Sequence, residues 1–304
     1  NRMTSTGTLQ TAIVGDTLMH TQRLAKAAPN AVEGSREAFL ELRESRDAIA
    51  ANLDALANGD AARGLSASSS DIQPTLTTLN ERWRASEAAA SVIVANEKAL
   101  IAFGDVIRKI NDASPRLQQL TEEVTALKLQ AGAPPREIAT AAQLVTLTQR
   151  LGKSANSLVA GNVANAEVAL TLGRDINQFR DLTQALLAGS DALRLAATTD
   201  PEARTRLQEL TRVYAEFQSS IAGAISSLQA IVQSKEAELA ILRDSEPLRQ
   251  QVTELGGLYT KEQAARTVAL IVMAFFGVGM LLSAFAIVKV LLEDTRKRAA
   301  EAEI

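Results

Sequence analysis

His20-Thr21-Gln22-Arg23-Leu24-Ala25-Lys26-Ala27-Ala28 returns later in the chain as Leu147-Thr148-Gln149-Arg150-Leu151-Gly152-Lys153-Ser154-Ala155. Both stretches place a leucine on an apolar stripe and two cations three residues apart, the spacing of one helix face. The echo extends outward over a whole unit. Trp83, after Leu79, answers Tyr214, after Leu210. Asp112-Ala113-Ser114-Pro115, followed by Gln118-Gln119, answers Asp244-Ser245-Glu246-Pro247, followed by Gln250-Gln251. The offset grows from 127 at Arg23/Arg150 to 131 at Trp83/Tyr214 and 132 at Pro115/Pro247. One unit of roughly 130 residues, copied and then lengthened by small insertions, accounts for that drift. It is too long for a solenoid repeat, so two whole modules are expected.

Composition supports helices and excludes several classes of function. Ala, Leu, Thr, Gln, Glu and Arg dominate, and aromatics make up only 3% of the 304 residues, which leaves little material for strands. The 35 acidic and 32 basic residues nearly cancel, so no basic field points to nucleic acid. The chain has no cysteine, which removes disulfides, thiolate nucleophiles and cysteine zinc sites. This is compatible with a bacterial periplasm. The sequence begins at Asn1 rather than Met, as expected of a fragment or a processed chain.

Thr267 to Val288 reads TVALIVMAFFGVGMLLSAFAIV, 22 residues without a charge. As a helix this spans about 33 Å, close to the hydrocarbon thickness of a bilayer. Lys289, Arg296, Lys297 and Arg298 follow it, against Lys261 and Arg266 before it. The basic excess assigns the C-terminal side to the cytoplasm. Gly279 and Ser283 form a small-xxx-small pair that suits close packing of two membrane helices, or reflects ordinary use of small residues there.

In the soluble part, Leu9, Ile13, Val14 and Leu18 start a first helix, punctuated at Pro29-Asn30. A second is expected over about 33–57, with Arg43 and Asp47 paired four apart and Asn58-Gly59-Asp60 as its stop. Ser66 to Ser70 reads as a flexible loop. A long third helix is expected over about 71–112, then a fourth opened by Ser114 as N-cap with Pro115 at the first position. The second unit predicts helices at about 136–160, 162–188, 201–243 and from 247 onward, with Asp200-Pro201-Glu202 as a start signal. Leu207, Leu210, Tyr214, Phe217, Ile221, Ile225, Leu228 and Val232 mark a bundle seam. The third helices are far longer than the others, so matched four-helix bundles do not follow directly. The last helix runs past Gly256-Gly257 into the apolar segment.

Arg23, Lys26, Arg150 and Lys153 are the candidate ligand- or partner-binding residues. Paired cations can hold an anion or an acidic helix, and the arginine fork suits a carboxylate or oxyanion. The competing reading is an intramolecular ion pair that sets how helices meet. His20 is the only histidine and aligns with Leu147, so an edge-of-core role is expected rather than a metal site. Trp83 and Tyr214 read as core or interface anchors, and Asp112 and Asp244 as turn and cap residues. No Gly-rich phosphate loop and no nucleophile with a base is present, so neither an enzyme nor a cofactor or metal site is expected.

A duplicated helical region with Gln-Arg-Leu-x-Lys on the first helix of each unit, then a membrane helix and a short basic helix from Lys289 to Ile304, resembles the PilJ family. These are the methyl-accepting chemotaxis transducers of the type IV pilus system. The family's motif has a Gln-Arg-Met core; Leu24 and Leu151 replace that methionine with similar hydrophobic size. The resemblance implies an inner-membrane homodimer active in twitching motility and surface sensing, with pilin subunits as a periplasmic partner. A further membrane helix and a cytoplasmic tip are implied outside this sequence, the tip coupling through a CheW-like adaptor to a CheA-like histidine kinase. Residues 289–304 resemble the start of a HAMP linker. Related modules in nitrate-responsive sensor kinases use a first-helix arginine on an anion, which makes a small-anion sensor the first rival and a passive tether the second.

The resulting expectation is an all-α chain of two tandem, duplicated antiparallel helical-bundle modules. They cover residues 1–132 and 133–266, followed by a transmembrane helix at 267–288 and the cytoplasmic start of a linker at 289–304. Residues 1–266 are expected in the periplasm.

Overall fold

Glycine and proline punctuation sets where the helices stop. A computed structural model of the chain describes residues 2–160 and 166–301, apart from the side chains of 2–5, 158–160, 166, 217, 219–221, 224, 225 and 297–301. The described residues form eight α-helices: α1 (Arg2–Val32), α2 (Arg36–Asn58), α3 (Gln73–Ala95), α4 (Glu97–Gln130), α5 (Pro135–Ala160), α6 (Ala166–Ala188), α7 (Pro201–Ser226) and α8 (Leu228–Glu301). No strand occurs among them, and the all-α expectation holds.

The turn after the second helix of each copy repeats closely. α2 ends just before Gly59 and α6 just before Gly189, both glycines with φ of 84°. Beyond each glycine the chain folds back through a bridge, Asp60 with Leu65 and Ser190 with Leu195. A side chain cannot be added at Gly59: its Cβ would lie 2.9 Å from Ala67 N and from Leu65 O. The Ser66–Ser70 stretch, expected as a flexible loop, is instead tied down. Ser68 is buried and donates to the Leu56 carbonyl at 2.6 Å, as Thr198 does to Leu186 at 2.6 Å. Asp200 caps α7 as expected, accepting from Ala203 N at 2.8 Å with Pro201 at the first helical position.

Helix boundaries differ from expectation in the second half of each unit. α1 continues through Pro29 and stops instead at Gly34, where φ is 90°. The long third helix breaks at Asn96, and its counterpart breaks after Ser226. This leaves 23 residues in α3 and 26 in α7, and the extra length passes to the helices after each break, 34 residues in α4 and 74 in α8. The helix after each break then runs through the proline, Pro115 inside α4 and Pro247 inside α8. Ser114 is therefore not an N-cap, and Asp112 and Asp244 sit within helices rather than turns. A proline lacks one N–H and costs about 3 kcal/mol in a helix interior, which packing on both sides must outweigh. Of the expected seam, Leu207, Leu210 and Tyr214 are buried, Leu228 and Val232 are half-buried, and the side chains of Phe217, Ile221 and Ile225 lie outside the described residues. Past Ser227 the buried line shifts to Ile231, Ser234 and Ile241, because the turn there resets the helical phase. The expected start of the sixth helix near 162 also lies outside the described residues.

The chain divides into two compact units. One holds the chain up to Leu18, Asn52–Thr78 and the chain from Gln250 onward; the other holds Met19–Ala51 and Leu79–Arg249. In the second unit α4 packs on α5 and α7, α5 on α6, and α6 on α7. The fourth segment of copy one, after Pro115, thus closes the helices of copy two. Lys128 near its end is buried and donates to Glu137 at 2.9 Å and to Thr198 at 2.7 Å. In the first unit the roles are exchanged. Val252, Leu255 and Tyr259 of copy two are buried, and the Tyr259 hydroxyl lies 2.5 Å from Ser68 Oγ of copy one. A Cβ at Gly256 would come within 3.1 Å of Val14, so that helix pair approaches closely. Tyr259/Ser68 and Lys128/Thr198 are the same joint, made neutral in one unit and cationic in the other.

Beyond Tyr259 the character of α8 changes within the helix. Large apolar side chains from Val268 to Val288 are exposed. The most apolar stretch of α8 is not buried against any other part of the described chain. A soluble protein does not present such a surface to water, so this stretch is read as membrane-spanning.

Candidate functional site

The repeated Gln-Arg-Leu-x-Lys motif divides by burial. Leu24 and Leu151 are buried, as are Thr21 and Thr148, while Lys26 and Lys153 are exposed. The helix thus drives one edge of the motif into the core and holds its cations at the rim. The two arginines each reach the next helix. In copy one Arg23 Nη2 is 3.8 Å from Glu44 Oε2, both side chains well exposed at 38% and 54%. A pair this loose and this wet contributes at most about 1 kcal/mol.

In copy two the pair is different in kind. Arg150 Nη2 lies 2.9 Å from Asp175 Oδ1, and Asp175 is only 1% exposed. Neither carboxylate oxygen has a hydrogen bond of good geometry. Burial raises the Asp175 pKa, and the charges of Arg150 and then Arg174 pull it back. The matching position in copy one is Ser45, fully buried and 3.2 Å from His20 Nδ1. His20 is half-buried at the core edge, as expected, with Leu147 buried at the equivalent place. The structure therefore brings Arg23 to Glu44 and Arg150 to Asp175, and brings neither lysine to an acid among the described residues. Arg43, expected to pair with Asp47, is bonded instead to Glu97, while Arg46 takes Asp47 at 2.9 Å.

Trp83 and Tyr214 are core anchors, 3% and 5% exposed. Trp83 Nε1 donates to Glu87 at 3.0 Å, and Tyr214 stacks on Phe179 with centroids 6.2 Å apart. Gly279 and Ser283 are exposed on α8; the Ser283 hydroxyl donates to the Gly279 carbonyl at 2.9 Å, and a Cβ at Gly279 would meet nothing within 4 Å. That face has room for a partner helix. No group of three or more His, Asp or Glu among the described residues is placed to hold a metal.

Several interior polar residues were not legible as candidates. Asn96, at the break before α4, donates to the Ala230 carbonyl at 3.3 Å and Ser234 Oγ at 3.1 Å, coupling α4 to α8. Buried Lys128 and the Tyr259–Ser68 bond lie outside every sequence motif. Alignment of the copies carries the only signal for them: Ser68 against Thr198 marks a shared hydroxyl whose partner must be sought.

Residues 7–108, within the first copy, match the PilJ family model, described as the N-terminal region of the type IV pili methyl-accepting chemotaxis transducer. The chain is 26% identical over 287 residues, 94% of its length, to Protein PilJ of Pseudomonas aeruginosa. It is 25% identical over 239 residues, 78% of its length, to AlkN of Alcanivorax borkumensis, which is named for methyl-accepting chemotaxis. It spans 42% and 34% of the lengths of these two relatives.

Proposed function

We propose that this chain, a PilJ-type chemotaxis transducer by its sequence, is the sensory and membrane-crossing part of a type IV pilus chemoreceptor. The observation that carries the reading is α8. One uninterrupted helix is packed at Val252, Leu255 and Tyr259 and then presents the apolar surface of 267–288. A change in packing around Tyr259 moves the helix that enters the bilayer. The region before Thr267 lies in the periplasm of the inner membrane and Lys289 onward in the cytoplasm, following the excess of basic residues there. The chain works as a homodimer, with Gly279 and Ser283 facing the partner's membrane helix. Pilin subunits are the extracytoplasmic partner, and a CheW-like adaptor and CheA-like kinase receive the signal.

A partner drives such a device only by binding one packing better than another; about 1 kcal/mol of difference shifts the populations about fivefold. A flexible Gly-Ser insertion after Gly256, in the full-length receptor, is expected to abolish kinase output while leaving membrane insertion intact. Unchanged output would instead support a passive tether. The small-anion rival is weakened by the engagement of Arg23 and Arg150 with Glu44 and Asp175. Calorimetry with nitrate, nitrite and phosphate tests it: binding that is lost in Arg23→Ala or Arg150→Ala would replace the pilin reading. Lys26→Glu and Lys153→Glu, both exposed, are expected to weaken pilin capture if the motif's rim is the contact.

A further inference from the structure

The two copies diverge most usefully along the groove between the second and third helices of each unit. The register is fixed by Leu42/Leu172 and Leu56/Leu186 on α2 and α6, and by Leu76/Leu207 and Leu79/Leu210 on α3 and α7, all buried. Between these anchors, copy two loses bulk. Phe39, fully buried in copy one, is replaced by Ala169; Arg43 is replaced by Gly173; Trp83 is replaced by Tyr214. Phe179 in place of Ile49 returns some volume one turn further on. The outcome is an open cleft of about 560 Å³ between α6 and α7, broadly exposed to solvent. A recess of about 70 Å³ continues past Arg180 and Tyr214 toward Thr183 and Thr211. Small-molecule sites occupy roughly 300–1,000 Å³, so the main cavity has the right scale.

The same substitutions invert its charge. The positions equivalent to this lining carry Arg43, Arg46, Glu44, Asp47 and Glu87 in copy one. In copy two the cations are Arg174 and Arg180, the acids have become Arg174, Asn177 and Gln218, and no acid lines the space. Asp181 lies outside the lining and takes Arg180 Nε at 2.9 Å, balancing part of its charge. Arg174 makes no ion pair among the described residues; the buried Asp175 next to it lies outside the lining, pairs with Arg150 and acts on Arg174 only through its charge. Leu170, 64% exposed, stands at the mouth, and Ala169 and Ile176 make the floor apolar.

The geometry points to a binding site in this cavity for a small organic carboxylate with an apolar body, its charge held by Arg174 and Arg180 and its body lying against Tyr214, Ala169 and Ile176. Two arginines over an apolar floor favour this class over a bare inorganic anion, which leaves the floor unused, and over a neutral hydrocarbon, which leaves the cations unused. Asn177 and Gln218 add neutral hydrogen-bonding groups where copy one has acids that would repel the ligand.

The test uses the whole 304-residue chain in lipid nanodiscs, titrated calorimetrically with benzoate, benzyl alcohol and inorganic phosphate. Benzoate is expected to bind at least about tenfold more tightly than either comparator. Arg180→Ala, at a half-buried rim position that is alanine in copy one, is expected to weaken benzoate about tenfold or more without changing the unfolding temperature. Tyr214→Trp and Ala169→Phe, which return the bulk of copy one, are expected to abolish binding; Tyr214→Trp is the milder change and retains the test if the phenylalanine variant misfolds. No benzoate binding up to about 10 mM, equal binding of phosphate, or affinity unchanged in Arg180→Ala and Tyr214→Trp would each overturn the site. The readout is binding alone, so the result stands apart from any role of the chain in pilus signalling.

Discussion

At Asp175, folding removes a carboxylate from water and gives its oxygens no hydrogen bond in return. Its pKa is therefore raised above 3.8 in the folded chain, chiefly by desolvation. The folded state takes up this proton more readily than the unfolded chain, so the group's contribution is present below the unfolded value and lost as pH rises through the folded one. At pH 7 the ionised group is a liability. Asp175→Asn is expected to raise stability at pH 7 by roughly 1–2 kcal/mol, with the gain vanishing below about pH 4. Thermal unfolding across that range measures it, and a loss at pH 7 would mean that the Arg150 pair outweighs the burial. Arg194 offers a second case. It adopts φ of 53° where copy one has Gly64 at 70°. Arg194→Gly is expected to stabilise by about 0.5–1 kcal/mol in denaturant titration, since a left-handed non-glycine residue costs about 1–2 kcal/mol and glycine's greater unfolded-state freedom offsets part of that. The opposite holds at Gly104, whose added Cβ would lie 2.6 Å from the Glu33 carbonyl oxygen. Gly104→Ala is expected to cost about 1–3 kcal/mol by forcing the α1–α2 turn off α4.

At the scale of the element, helix type was legible and helix phase was not. The 3.6-residue pattern and the scarcity of aromatics specify helices throughout, and Gly59, Gly189 and Asp200-Pro201 mark ends by local chemistry that needs no tertiary context. The break at Asn96 has no such mark. It exists because Asn96 can satisfy its amide on α8, a partner 134 residues away. The prolines misled for the converse reason: Ser114-Pro115 has the local chemistry of a helix start, but helix continues because Leu117, Leu120 and Val124 bury themselves on α5 and α7. The same limit applies to the candidate site. The arginines of the motif were visible, whereas Glu44 and Asp175 were not, since surface acids abound on helices and only packing selects the partner. Lys128 shows what such a hidden joint carries. It is buried against Glu137 and Thr198, and Lys128→Ala is expected to cost about 3–5 kcal/mol by stranding the Glu137 carboxylate. Lys128→Ala with Glu137→Gln should recover much of that loss, a double-mutant cycle being the measurement.

For the whole molecule, duplication in sequence and division in space do not coincide. The compact units cut each copy into pieces, and α8 passes from one unit to the other between Arg249 and Gln250, just beyond Pro247. The closing segments are exchanged, Tyr259 sealing copy one at Ser68 and Lys128 sealing copy two at Thr198. Each copy lends the other its closing arm, as the chains of a swapped dimer do, but here within one polypeptide and through a single link. The link is the turn at Gly132, with φ of 64° and open space around it, and an exposed turn of this kind tolerates a cut. Residues 1–132 and 133–304, made as separate polypeptides, should each fail to fold alone and should regain cooperative unfolding when combined in nanodiscs. Reassembly of the halves would show that the exchanged arms by themselves hold the two copies together, and that the peptide bond at the turn only keeps them from parting.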